Sequence, residues 1–137
     1  MDAQSTARLT DGLAMMNITV SDNQFNRLCL YIDLLEKWNT AYNLTAVRDT
    51  SQMVAYHLLD SLSILPFVPK TAQSVLDVGS GGGQPGLPLA IMRDDLTVTL
   101  LDSNSKKTAF LQQAVIELNL NNVQVIAERI ENMQQIQ

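Results

Sequence analysis

The stretch Ser74-Val-Leu-Asp-Val-Gly-Ser-Gly-Gly-Gly-Gln-Pro-Gly-Leu-Pro-Leu-Ala-Ile91 decides the fold. A short apolar run, Val75, Leu76 and Val78, surrounds a carboxylate at Asp77. The chain then breaks into Gly79, Gly81, Gly82 and Gly83, and apolar residues resume at helical spacing with Leu87, Ala90 and Ile91. That order reads as strand, tight glycine turn and helix, the opening unit of a nucleotide-binding α/β sheet. Glycine suits the turn because the chain there must take positive φ and let a ligand touch bare backbone. Pro85 and Pro88 suit a helix start, where an amide proton lacks an intrahelical partner.

Two nucleotide patterns overlap on this turn. Gly81-Gly-Gly83-Gln-Pro-Gly86 fits the dinucleotide pattern G-x-G-x-x-G. Asp77-Val-Gly79-Ser-Gly81-Gly-Gly83 fits D-x-G-x-G-x-G, the acidic and glycine-rich signature of S-adenosylmethionine methyltransferases. The second pattern accounts for more residues, including the acid two positions before the first glycine. A glycine-rich turn with no ligand is the plainer alternative, but while loop glycines are common, four within residues 79–83 are not.

With 137 residues the chain suffices for one domain and one core. Hydrophobic residues make up 46% and charged ones 17%, ordinary values for a globular protein. No apolar run approaches the roughly 20 residues of a membrane span. The start, Met1-Asp-Ala-Gln-Ser-Thr, lacks the basic and apolar blocks of a secretory signal. Cys29 is the single cysteine, so nothing argues for an oxidising compartment, and a cytoplasmic enzyme of bacterial type is expected. A net charge of −5 and a pI near 4.6 count against a general nucleic-acid coat, while leaving room for a local basic patch.

Upstream of the glycine stretch the chain reads as helical. Asp2 to Met16 is loosely amphipathic. Ser21 with Gln24 forms a capping box that opens the clearest helix, whose Phe25, Leu28, Cys29, Ile32, Leu35 and Trp38 recur at three and four. Cys29 on that stripe reads as a small buried hydrophobe, and Trp38 as a core residue rather than a base-stacking one. Trp38 to Arg48 is a helix end running into a polar loop, after which Thr50 or Ser51 can cap a helix carrying Met53, Val54, His57, Leu58 and Leu62. Helical spacing puts His57, Asp60 and Ser61 on one face, either as polar groups orienting His57 at a helix junction or as the frame of a substrate entrance. Pro66 and Pro69 mark a boundary. Residues 1–70 therefore read as an N-terminal helical segment and 71–137 as the first half of a methyltransferase domain.

Downstream, Leu96-Thr-Val-Thr-Leu-Leu101 is a strand ending at Asp102. Asp102 lies 19 residues beyond Gly83 (83 to 102), close to the roughly 20 expected of an acid that binds ribose hydroxyls. Capping the next helix is its other reading. That helix runs over about 104–119 with Ala109, Phe110, Gln113, Ile116 and Leu120 toward one side. Lys106 and Lys107 stand in its first turn, where the helix dipole disfavours cations. A nearby phosphate would explain them, and plain solvated surface is the alternative. Val123 to Ala127 is a third strand, followed on the same rim by Glu128-Arg-Ile-Glu131.

The fold class is α/β: N-terminal helices followed by a partial Rossmann-like class I methyltransferase sheet of three parallel strands in order 3-2-1. The strand that carries the glycine turn is then an edge, exposing unpaired amides and apolar side chains. A complete sheet of this type adds strands there, so a truncated form of a longer protein is expected, prone to self-association through that edge.

Leu35-Glu-Lys-Trp-Asn-Thr-Ala-Tyr-Asn-Leu-Thr-Ala-Val-Arg48, His57-Leu-Leu-Asp-Ser-Leu62 and Leu76-Asp-Val-Gly-Ser-Gly-Gly-Gly-Gln-Pro-Gly-Leu-Pro-Leu-Ala90 together resemble the RsmG (GidB) family. Its members are bacterial methyltransferases that move a methyl group from S-adenosylmethionine to N7 of a guanine in small-subunit (16S) ribosomal RNA. The resemblance implies S-adenosyl-L-methionine as cofactor, 16S ribosomal RNA or the small ribosomal subunit as partner, and neither metal nor membrane. Gly79 and the position of Gln84 look like the cofactor-contacting ends of the turn, beside Asp77, Gly81 and Gly83 of the motif. Asp102 looks like the ribose carboxylate, and Ile130 with Glu131 is similar to the segment that closes over the adenine. Arg48, His57, Lys106 and Lys107 resemble residues near the expected RNA face. No catalytic side chain is singled out. Gln84 departs from the family, which usually has leucine there, so that contact would run through backbone. Family members also continue into a Ser-Arg-Ala-type motif that has no counterpart here.

The chemistry asks little of side chains. Guanine N7 already has a free lone pair, so no proton must leave before attack, and alignment with exclusion of water is the protein's task. One His, one Cys and no metal-ligand cluster are consistent with that. N7 lies on an edge that unpaired RNA exposes. The alternatives are a fragment of an NAD-binding oxidoreductase and a non-catalytic interaction module using the exposed edge.

Overall fold

A computed structural model describes residues 1–129 and 131. Helix α1 (Ala3–Met15) opens on Asp2, whose carboxylate accepts from the Ser5 amide at 2.8 Å. Helix α2 (Asp22–Tyr42) opens on the expected capping box, with Ser21 and Gln24 exchanging side-chain and backbone hydrogen bonds. It stops at Asn43, which takes the left-handed conformation (φ 52°) that asparagine tolerates. Leu28, Ile32 and Leu35 of the predicted stripe are buried, and Phe25, Cys29 and Trp38 flank them half-buried.

The next helical stretch departs from the expectation in two ways. Asp49 rather than Thr50 or Ser51 caps it, because the residue just outside the first turn is the one whose oxygen reaches the Gln52 amide. Only α3 (Thr50–Met53) and α4 (Asp60–Leu62) are α-helical; between them Val54–Leu59 widens into a π-helix, in which the Asp60 amide donates to Ala55. A 3-10 turn at Leu65–Phe67 precedes the sheet.

Strands β1 (Ser74–Val78), β2 (Thr97–Leu101) and β3 (Val123–Ile126) are all parallel and lie in the order β1-β2-β3, as expected. Val75 pairs with Val98 and Asp77 with Leu100. Helices α5 (Gly86–Met92) and α6 (Ser105–Glu117) make the crossovers, and α2 packs on both. A Cβ on Gly86 would collide with Leu100 and the Asp77 carboxylate, so its absence lets α5 lie directly on the strands. One core joins Leu9 of α1, Leu28 to Leu35 of α2, Leu58, Leu87, Leu100 and Leu111.

The orientation of α6 differs from the reading above. Its buried residues are Thr108, Phe110, Leu111 and Ala114, while Ala109 and Ile116 face outward, Ile116 being 70% exposed. Apolar residues lie on two sides of this helix, and packing against β3 and α2 selects the Leu111–Ala114–Leu118 line, which repeats at three and four. Among the described residues β1 pairs only with β2, and its Leu76 and Val78 remain 48% and 50% exposed.

Candidate functional site

The glycine turn closes on itself and on the two acids. Gly79, Gly81 and Gly83 take φ values of 71°, 53° and 90°, which side chains rarely adopt. The Gly79 and Ser80 amides donate to the Leu101 carbonyl, and the Gly83 amide to Ser80. Asp77 turns its carboxylate toward α5, accepting from the Gly86 amide at 3.0 Å. Asp102 accepts from the Gly81 amide at 3.0 Å through Oδ2 and from the Asn104 amide at 2.8 Å through Oδ1. Capping of α6 falls to Asn104, whose side chain accepts from the Lys106 and Lys107 amides. Asp102 thus ties the turn to the end of β2. The turn does not offer a row of bare amides to a ligand, because its own acids and carbonyls engage the amides of Gly79, Ser80, Gly81, Gly83 and Gly86.

Open space is confined to the first glycine. A Cβ on Gly79 would meet nothing within 4 Å, whereas one on Gly83 would lie 2.5 Å from Leu87 Cδ1. Gly79 lines a cleft of about 330 Å³ together with Val78, Leu101, Asp102, Ser103, Glu128, Arg129 and Glu131. Strand ends meet here, the place where ligands bind open α/β sheets. Of the residues singled out from sequence, Gly79, Asp102 and Glu131 line this cleft. Gly81 borders it through its bond to Asp102. Asp77 lies behind the turn, mostly buried, and burial raises its carboxyl above the ordinary range, with the Asp102 charge adding to the effect. Gly83 and Gln84 stand apart from the cleft lining. Ile130 lies outside the described residues.

Sequence reading missed Tyr31, which braces the turn. Tyr31 is fully buried on α2; its hydroxyl donates to the Gly82 carbonyl at 2.5 Å and accepts from Gln84 Nε2 at 2.8 Å. Burial pushes its phenol well above the usual value. Gln84 Nε2 also reaches the Gly82 carbonyl at 3.3 Å, so its side chain holds the turn from inside. The signal was present, since Tyr31 follows Leu28 by three and precedes Leu35 by four.

Of the basic residues singled out from sequence, Arg48 and His57 bond to the loop after α2. Arg48 donates to the Asn43 side chain at 2.8 Å, and His57 Nε2 is 2.8 Å from the Thr45 hydroxyl. Thr45, rather than Asp60 or Ser61, therefore orients the His57 ring; Ser61 donates to the His57 carbonyl instead. His57 sits within the π-helical segment Val54–Leu59. Burial lowers the His57 pKa, against the opposing pull of a backbone hydrogen bond and the Asp60 charge. Lys106 Nζ lies 5.9 Å from the centroid of the Tyr42 ring, and the Lys107 side chain reaches beside Gly81. Among the described residues no group of three or more His, Cys, Asp or Glu could hold a metal, and no helix is long and apolar enough to cross a membrane.

Comparison with known proteins agrees with this arrangement. The family model described as rRNA small subunit methyltransferase G (GidB) matches residues 24–137. The ribosomal RNA small subunit methyltransferase G of Neisseria meningitidis serogroup C (strain 053442) is 57% identical over 124 residues, covering 90% of this chain and 59% of the relative. That of Marinobacter nauticus is 57% identical over 131 residues, covering 96% and 60%. The Laribacter hongkongensis protein is 55% identical over 126 residues, covering 92% and 60%. The chain thus spans about three fifths of the length of these curated relatives. With the glycine turn, the Asp102 anchor and a match across residues 24–137, the chain belongs to the rRNA small subunit methyltransferase G family.

Proposed function

We propose that the chain carries the S-adenosylmethionine-binding half of an enzyme that methylates guanine N7 in 16S ribosomal RNA, acting in the cytoplasm on RNA or on the small ribosomal subunit. One observation carries the reading: the cleft over Gly79 has Asp102 on its wall, and the amides that would cradle a pyrophosphate are already engaged. About 330 Å³ is within the range of about 300–1,000 Å³ typical of small-ligand sites. Acids on the rim suit ribose hydroxyls and a positively charged sulfonium, and they repel the phosphates of NAD.

When bound, S-adenosylmethionine supplies a methyl group on sulfur together with its own leaving group. The chain's residues orient and enclose. Asp102 spends one hydrogen bond per oxygen on the protein, and its other lone pairs can accept from ribose hydroxyls. Gly79 lets the ligand approach backbone, Val78 and Leu101 offer apolar walls, and Glu131 on the cleft lining would face the adenine. Gly81, Gly83, Gln84 and Asp77 hold the turn in shape behind them. Arg48, His57, Lys106 and Lys107 form the RNA-facing side.

Equilibrium dialysis of this chain against S-adenosylmethionine and NAD tests the proposal. Retention of S-adenosylmethionine over NAD is expected, with transfer to 16S RNA in a chain of the relatives' full length. Preferential NAD retention would overturn it. The exposed Leu76 and Val78 on the β1 edge also favour self-association of the chain at this length.

A further inference from the structure

Basic residues from three separate parts of the chain lie near the end of α2, where Tyr42 exposes its ring. Tyr42 is the last residue of α2 and is 43% exposed, unlike the fully buried Tyr31 of the same helix. Its ring packs 5.4 Å from Trp38, tilted by 38°, and Trp38 rests edge-on against the buried Phe110 at 5.8 Å. The ring is therefore backed by a rigid aromatic stack that runs into the core. Lys106 holds its ammonium over it, Arg48 is tied to the adjoining Asn43, and His57 to Thr45 two residues on. Lys107, the next residue of α6, extends to Gly81, so the cluster adjoins the glycine turn.

We propose that Tyr42 is a stacking platform for an unpaired RNA base, with Lys106, Lys107 and Arg48 taking the flanking phosphates. This rests on the RNA methyltransferase reading and assigns the substrate side of that site. A lone tyrosine on a surface needs no ligand, but this one combines three features of single-strand recognition: a fixed π face, a cation over it, and a neighbouring lysine that reaches the glycine turn. None of the ion pairs among the described residues involves Arg48, Lys106 or Lys107, in a chain whose net charge is −5. A base settling on the ring displaces the Lys106 ammonium, which then swings to a phosphate. The cation over the ring holds the platform in place until RNA arrives.

The test is fluorescence-anisotropy binding of the 137-residue chain to a fluorescein-labelled single-stranded RNA and to an abasic strand of equal length. Tyr42→Phe is expected to keep RNA affinity. Tyr42→Leu, which retains an apolar contact to Trp38 without a π face, is expected to lose at least about fivefold on RNA. Binding to the abasic strand should change less than twofold in both variants. Trp38 is the single tryptophan, so its fluorescence in each free variant reports whether the local packing survives. Equal RNA affinity of wild type and Tyr42→Leu overturns the proposal, as does an equal loss on both strands or an absence of RNA binding by the wild type. Dialysis with S-adenosylmethinine run in parallel separates the two readings: cofactor retention with no effect at Tyr42 sinks the platform alone, and loss of cofactor retention sinks the parent reading.

Discussion

Replacing Gly79 and Gly83 separately by alanine distinguishes a ligand glycine from a packing glycine within one turn. Both have positive φ, 71° and 90°, so each alanine carries about 1–2 kcal/mol of backbone strain. At Gly79 that is the whole cost, because the new methyl meets nothing within 4 Å. At Gly83 the methyl lies 2.5 Å from Leu87 Cδ1, 2.9 Å from its Cγ and 3.3 Å from Leu111 Cδ2. Leu87 and Leu111 are fully buried and have no room to swing aside, which adds about 1–3 kcal/mol of overpacking. At about 3–5 °C per kcal/mol for a chain of this size, Gly79→Ala should lower the melting midpoint by about 3–10 °C. Gly83→Ala should lower it further, by about 6–25 °C. Ligand binding should show the reverse order. The Gly79→Ala methyl enters the cleft and should weaken S-adenosylmethionine retention by about tenfold or more, roughly 1.4 kcal/mol. Gly83→Ala, measured well below its own midpoint, should bind within about threefold of wild type, under ~0.7 kcal/mol. Thermal melts followed by circular dichroism and equilibrium dialysis supply the two readouts. Unchanged retention in Gly79→Ala, or a midpoint as low as that of Gly83→Ala, would refute the assignment of open space to Gly79.

Tyr31→Phe should destabilise the fold by about 1–3 kcal/mol, since the Gly82 carbonyl and Gln84 amide lose a buried partner; an unchanged midpoint would remove the brace from the account. Asp77→Asn should change the pH dependence of stability. Burial raises the folded-state pKa of Asp77 above 3.8, so its stabilising contribution is full below that value and is lost as pH rises through the folded pKa. Asparagine can still accept from Gly86 without charge, so the variant's midpoint relative to wild type should climb between pH 4 and pH 7; parallel melting curves across that range would contradict this.

Much of the fold was legible because its signals are local. The Ser21–Gln24 capping box and the alternation of β2 each depend on residues within about one turn or one strand. The parallel order followed from crossover handedness, and Asp102 was found by its distance from the glycines. The site was only partly legible. The pattern marked Asp77 and Asp102 alike as acids of the turn, yet one serves the start of α5 and the other faces the cleft. It marked the glycines as one cradle, yet only Gly79 opens on empty space.

By itself the sequence determined where the chain bends, which segments are helix or strand and which family it joins, since caps, glycines and periodicity act over a few neighbouring residues. Tertiary structure alone decided that Tyr31 holds Gly82 from 51 residues away, that α6 turns Ile116 outward, and that His57, on a π-helix, meets Thr45. Those outcomes depend on which surfaces compete for the same core and which donor arrives at which lone pair. No local pattern encodes that competition, because its partners meet only after the helices have closed over the sheet.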